Sequence, residues 1–239
     1  MDVILDDGFF FGLGAFETIA VYGYPIFLER HLERLGRALE FLGIAQHVSE
    51  EDVYGFLNGE IMERGALKIV VSQENKLFLP RENPYGEKDY EKGFTMDFAR
   101  VRRNASSPFT YHKTMNYGDC ILEKRRVLGK GLDEAVFLND RGEICEGTSS
   151  NIFFVGEGGI FTPEISSGLL PGIMRSYVLE NYEVAERRIT VGDVEQFEEC
   201  FVTNSLMGIM PVVKLGGYCF DKRETADKIR KEYFENQVK

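Results

Sequence analysis

Apolar residues recur along this chain with two different periods, and the switch between them predicts its elements. Over residues 16–22 (Phe-Glu-Thr-Ile-Ala-Val-Tyr) apolar and polar positions alternate and β-formers dominate, as in a strand. Gly23-Tyr24-Pro25 turns that strand, and Ile26-Phe27-Leu28 is expected to start back along it. From His31 to Leu42 the period becomes helical, with Leu32, Leu35, Leu39 and Leu42 on one stripe and Gly43 as the stop. Ser49-Glu50-Glu51-Asp52 has the form of a capping box and opens a second predicted helix running to about Arg64, with Gly65 ending it. Residues 67–71 and 94–99 read as strands.

The polar run from Arg102 to Pro108, with its Asn, Ser and Pro, punctuates the chain. A domain boundary is placed there, giving domains 1–104 and 105–239. The second half opens with a helix over residues 117–128. Strand, turn and strand follow at residues 135–138, 139–142 and 143–145. Residues 151–155 and 160–162 pair around a glycine-rich turn. A helix over residues 172–183 starts just after Pro171, residues 200–203 form a short apolar strand, and a polar helix over residues 224–236 closes the pattern. Strands and helices mix without a βαβ rhythm, which predicts the α+β class.

At 239 residues and 44% apolar content, the chain can bury a substantial core. The net charge of −11 argues against nucleic acid and against anionic membrane, both of which demand positive surface. The four cysteines, Cys120, Cys145, Cys200 and Cys219, form no CxxC pair, and with three histidines they do not suggest a metal site. No apolar run approaches a membrane span, and the first residues lack the basic start and apolar stretch of a signal peptide. A cytoplasmic protein is expected.

Three segments carry candidate chemistry. Lys113 stands in Tyr111-His112-Lys113, and a lysine amine can form a Schiff base. Glu146 opens Glu146-Gly147-Thr148-Ser149-Ser150-Asn151, and a carboxylate can hold a pyridine nitrogen protonated. Leu170-Pro171-Gly172-Ile173-Met174-Arg175 is a helix start, where backbone amides can hold a phosphate. Together these handles suggest pyridoxal 5'-phosphate (PLP). Each also has a plainer reading. Lys113 reads equally as a surface lysine, Glu146 as a solvated acid beside a turn, Ser149 as a turn-stabilising serine and Pro171 as an ordinary helix start. Phe11-Gly12-Leu13-Gly14 is not a dinucleotide loop, since it lacks the third glycine and leads into a strand.

In their order along the chain these motifs resemble the PLP-dependent class IV aminotransferases, or fold type IV. The likeness runs through Phe11-Gly12-Leu13-Gly14-Ala15-Phe16-Glu17-Thr18, His31-Leu32-Glu33-Arg34-Leu35 and Lys113-Thr114-Met115-Asn116. It continues through Glu146 to Phe153, Gly172 to Arg175, and Phe201-Val202-Thr203-Asn204-Ser205 with Met210-Pro211-Val212. The resemblance implies a small N-terminal α/β domain, a larger C-terminal domain with a β-barrel-like core, PLP in the cleft between them, and a homodimer acting on a small amino compound. It makes Lys113 the covalent and proton-moving residue, an amine that must be uncharged near neutral pH, and sets Glu146 against the pyridine nitrogen. Ser149 would pack behind the ring. Arg34, the amides at Gly172, Ile173 and Met174, and Ser205 with the Leu206 amide would hold the phosphate, while Arg30 and Arg37 read as exposed helix charges.

Within the family, the Gly-x-Gly-x-Phe-Glu-Thr opening, the short chain and the Lys-x-x-Asn spacing resemble 4-amino-4-deoxychorismate lyases, which produce 4-aminobenzoate and pyruvate for folate biosynthesis. Branched-chain aminotransferases usually carry one more residue between that lysine and asparagine. D-amino acid aminotransferases place an Arg-x-His trap where this chain reads Val70-Val71-Ser72-Gln73-Glu74. A non-enzymatic PLP-binding or cofactor-free scaffold is the reading from another class. Relatives have a strand pair before the Gly-x-Gly loop, so the small domain is expected to lack an edge strand.

Overall fold

The computed structural model describes residues 3–59 and 63–238. They form two compact units. The first comprises residues up to Pro84 together with His112–Tyr117 and the C-terminal residues from Gln237, and the second comprises Tyr85–Tyr111 and Gly118–Asn236.

The first unit contains α1 (Asp7–Phe11), β1 (Gly14–Val21), α2 (Leu28–Phe41), α3 (Glu50–Gly59), β2 (Gly65–Ser72) and β3 (Lys76–Arg81). The strands form an antiparallel sheet in the order β1-β2-β3. Alternation along β1 and β2 sends Glu17, Ile19, Val21, Leu67, Ile69 and Val71 to a fully buried face. Leu28, Leu35, Ala38 and Leu39 of α2, with Val48 and Val53, complete that core. The opposite face, with Phe16, Thr18, Lys68 and Val70, is only partly buried.

Several boundaries differ from the sequence expectation. Residues 26–28 do not start a returning strand. Phe27 adopts a left-handed conformation (φ 52°) and Leu28 begins α2 one turn before the expected start, burying its side chain in the core. The capping box of α3 is present: the Asp52 amide donates to Ser49 Oγ (3.1 Å) and the Ser49 amide to Asp52 Oδ2 (2.9 Å). The part of that predicted helix at residues 60–62 lies outside the described residues. Gly65 does not end a helix but begins β2. The short α1, β3 and the helix α4 below were not foreseen.

The second unit contains α4 (Glu87–Lys92), β4 (Phe94–Arg103), α5 (Gly118–Leu128), β5 (Glu134–Asn139), β6 (Ile144–Gly147), β7 (Asn151–Gly156), β8 (Gly159–Pro163), α6 (Ile173–Asn181), β9 (Val184–Arg187), β10 (Phe197–Asn204), β11 (Gly208–Leu215), β12 (Tyr218–Cys219) and α7 (Glu224–Gln237). Its nine-stranded sheet has the order β6-β5-β4-β11-β10-β7-β8-β9, with β12 added to β11. Three pairings are parallel, β4 with β5, β4 with β11 and β8 with β9, and the others are antiparallel. The sheet ends approach each other: the Ile144 amide donates to Ile189 O (2.7 Å), and Glu143 bridges Thr190 just beyond β9. That contact curls the sheet into a barrel-like form around Met96, Val136, Ile144, Ile152, Phe154, Val202 and Met210. The structure is therefore α+β, as expected. Arg102 and Arg103, read as connector, are the last residues of β4.

No helix among the described residues is long and apolar enough to cross a membrane. The core of the first unit offers a stability test. Ile69 is completely buried between β1 and β3, so Ile69→Ala should lower unfolding free energy by about 2–5 kcal/mol in urea titration, through lost transfer energy and a residual cavity.

Candidate active site

In the first unit the chemistry gathers on β1. The segment His112–Tyr117 runs beside it: the Phe16 amide donates to Lys113 O (3.1 Å), the Met115 amide to Gly14 O (2.7 Å), and Ala15 bridges Thr114. Gly14 makes this approach sterically feasible, because a Cβ there would meet Met115 Sδ and lie 2.8 Å from Val71 O. Asn116 Nδ2 donates to Gly12 O (3.0 Å), closing the Gly12–Gly14 loop on the same segment. Lys113 is half-buried, with Nζ 4.4 Å from the Phe16 ring centre and 5.5 Å from that of Tyr117. Those two rings meet edge to face at 5.3 Å. Lys113 is thus set on an aromatic platform rather than projecting from an exposed helix.

Arg34 is buried too. Its Nε donates to Glu17 Oε1 and its Nη2 to Glu17 Oε2, both at 2.8 Å, and His31 Nδ1 lies 2.6 Å from Glu17 Oε2. Burial pushes the Glu17 carboxyl up, but Arg34 and His31 outweigh it and hold its pKa far below the usual carboxylate range. Burial, the largest cause, lowers the pKa of His31, Glu17 opposes, and Arg34 and Lys113 add to the lowering. Glu17 was not identified from the sequence. The usable signal was an acid at an inward-facing position of an alternating strand, which must find a buried cation. Of the neighbouring arginines, Arg37 is exposed and pairs with Glu33, whereas Arg30 is half-buried against Phe27.

The second unit brings together the remaining expected groups. Glu146, at the end of β6, is buried, with Oε1 2.7 Å from Arg103 Nη2 and Oε2 accepting from the Leu170 amide (3.0 Å). Leu170 O in turn accepts from Asn151 Nδ2 (2.9 Å), at the start of β7. Asn151 also lies against Gly172, where a Cβ would collide with its Oδ1. The acid is therefore tied, through one residue, to the start of α6. Gly172 is the N-cap of that helix, and no side chain caps it, so the first-turn amides at Ile173 and Met174 point out of the helix end as anion donors. Asn151 pairs with Thr203 on β10, which leads into Asn204-Ser205-Leu206. There the Leu206 and Met207 amides both donate to Asn204 Oδ1 at 2.9 Å, so the Leu206 amide is already used within its own turn.

Ser149 is exposed, and its hydroxyl donates to Glu134 Oε2 (2.9 Å). Glu134 is the second acid the sequence reading missed. It is buried at the start of β5, and its Oε1 accepts from the Thr148 hydroxyl and, at 3.1 Å, from the Thr148 amide. Lys124 Nζ lies 3.3 Å from Oε2. The buried hydroxyls of Thr148 and Ser150 need an acceptor, and the acid heading the apolar β5 run provides it.

With this geometry in view, the comparisons decide the family. The amino-transferase class IV family matches residues 14–215. The chain belongs to the class IV aminotransferases. It is therefore an enzyme of a PLP-dependent family. An aminodeoxychorismate lyase of Bacillus subtilis is 28% identical over 241 residues, covering 88% of this chain and 80% of the relative. A Methanocaldococcus jannaschii protein provisionally named a branched-chain-amino-acid aminotransferase is 27% identical over 254 residues, covering 95% and 87%. A Legionella pneumophila structure provisionally named a 4-amino-4-deoxychorismate lyase superposes with a TM-score of 0.87 at 26% identity, covering 100% of this chain and 96% of that one.

Taken unit by unit, the donor groups suit parts of PLP: in the first, an amine on an aromatic platform for its aldehyde; in the second, a carboxylate with both oxygens fixed and an uncapped helix start for its ring nitrogen and phosphate. The buried Glu17 cluster gives a pH test. A depressed folded-state pKa contributes stability above the ordinary carboxylate range, and that contribution is lost as pH falls below it. Glu17→Gln should cost about 3–5 kcal/mol at neutral pH by breaking the buried ion pair with Arg34. The variant should also lose less further stability than the parent when urea titrations are repeated at progressively lower pH.

Proposed function

We propose that the chain is a 4-amino-4-deoxychorismate lyase, forming 4-aminobenzoate and pyruvate. The observation that carries this reading is the length of the lysine segment. The Lys113-Thr114-Met115-Asn116 spacing lets Asn116 close on Gly12 while Tyr117 packs on Phe16. One more residue, as branched-chain enzymes usually have, would move that asparagine off its partner. The Arg-x-His position of D-amino acid enzymes is occupied differently as well: Ser72 Oγ and the Glu74 amide both donate to Asp6, at 2.6 and 2.9 Å.

When bound, PLP supplies an electron sink for the pair left at the carbon bearing the substrate nitrogen. Lys113 takes the proton from that carbon. The electron pair completes the aromatic ring as the C–O bond to the enolpyruvyl group breaks, and enolpyruvate gains a proton to become pyruvate, so no further reactant enters. Glu146 would hold the pyridine nitrogen protonated, and its own two oxygens are kept in place by Arg103 and the Leu170 amide. Ile173 and Met174 amides, Arg34 and Ser205 would hold the phosphate. Glu134 holds the Thr148-Ser149 turn, where Ser149 would pack against the cofactor. The resemblance also supports a homodimer, and Phe9, Phe10 and Phe11, each 60% or more exposed, suit an apolar contact.

A branched-chain aminotransferase is the second reading, favoured by relatives of nearly equal identity such as the one from Methanocaldococcus jannaschii. Supplying 4-amino-4-deoxychorismate to the PLP-loaded protein should give 4-aminobenzoate and pyruvate in equal amounts, and Lys113→Ala should abolish both. Turnover only of branched-chain amino acids with 2-oxoglutarate would replace the lyase by the aminotransferase.

A further inference from the structure

The partly open face of the β1-β2-β3 sheet holds two cations that the chemistry above does not use. Thr18 pairs with Lys68, and Phe16 with Val70, so Lys68 and Phe16 are diagonal neighbours on that face. Lys68 Nζ lies 4.8 Å from the centre of the Phe16 ring, the ring that also carries Lys113 Nζ. On the other side Lys68 pairs with Leu79 and Ala66 with Arg81, which puts Arg81 on the same face, diagonal to Lys68.

Neither cation has an acid. Among the described residues the side chains of Lys68 and Arg81 make no ion pair or hydrogen bond. The chain has 39 acidic residues against 28 basic ones, so acids are not scarce. Burial lowers the Lys68 pKa and the neighbouring Arg81 lowers it further, with no carboxylate to oppose them. Half-buried Lys68 lacks full hydration, and the exposed Arg81 adds like-charge repulsion. An anion placed between them relieves both costs.

We propose that Lys68, supported by Arg81, receives a substrate carboxylate remote from the reacting carbon, so that the site selects amino compounds carrying such a group. This inference rests on the lyase reading. In that reading the carboxylate is the one para to the amine, which persists in the product. Lys68 Nζ and Lys113 Nζ both contact the Phe16 ring, at 4.8 and 4.4 Å from its centre, which brings Lys68 within reach of a carboxylate on a substrate that reacts at Lys113.

Equilibrium binding to the PLP-loaded protein separates the possibilities, with 4-aminobenzoate and its neutral isostere 4-aminobenzamide as probes in calorimetric titration. The parent should prefer 4-aminobenzoate by about tenfold or more, the size expected of a charge-assisted contact. Lys68→Met keeps the aliphatic stem and should erase most of that preference, while Lys68→Arg should restore part of it. A parent-like preference in Lys68→Met would overturn the Lys68 assignment and leave the lyase reading intact. A parent that binds neither compound would overturn both.

Discussion

The position of Lys113 depends on main-chain pairing with β1. Two hydrogen bonds, from Phe16 to the Lys113 carbonyl and from Met115 to the Gly14 carbonyl, make the segment His112–Tyr117 an added edge of the first unit's sheet. This register sets the lysine amine over Phe16. It also explains why Gly14 must lack a side chain and why Asn116 reaches Gly12. A strand edge is a stiff support, since a slip of one residue would turn Lys113 to the other face. His112, stacked on Phe41 at 4.2 Å, fixes the segment from the helix side.

Buried acids do the corresponding work elsewhere. Glu17 is shared by Arg34 and His31, and it orients the guanidinium through two parallel contacts. Glu134 gathers the donors of the Thr148-Ser149 turn. Glu146 is held between Arg103 and the Leu170 amide. In each case a carboxylate kept out of water is matched by fixed donors, which is the condition for burying it at all. The result is a set of functional groups whose directions are specified by neighbours rather than by solvent.

The long amphipathic elements were legible in the sequence because their periodicity is a direct record of which face is buried. The Leu35–Leu39 stripe of α2, the alternation of β1 and the hairpins around Gly142 and Gly159 are of this kind. Short elements were not. The five residues of α1 and the two-residue β12 carry too few positions to show a period. Strand order, with β4 parallel to both β5 and β11, leaves no local mark either. At the site, Lys113, Glu146 and Arg34 were visible through motif order. Glu17 and Glu134 were not, because their role lies in partners ten or more positions away. The Lys68–Arg81 pair is likewise a product of sheet register, and no spacing rule would have joined them.

Lys113 and Lys68 stand over the same ring, yet only one is expected to carry the cofactor. The most direct measurement is to load the protein with PLP, reduce it with borohydride, digest it and locate the pyridoxyl label by mass spectrometry. The account predicts a label on the peptide containing Lys113, at that residue. A label on Lys68, or no stable label on any lysine, would contradict it.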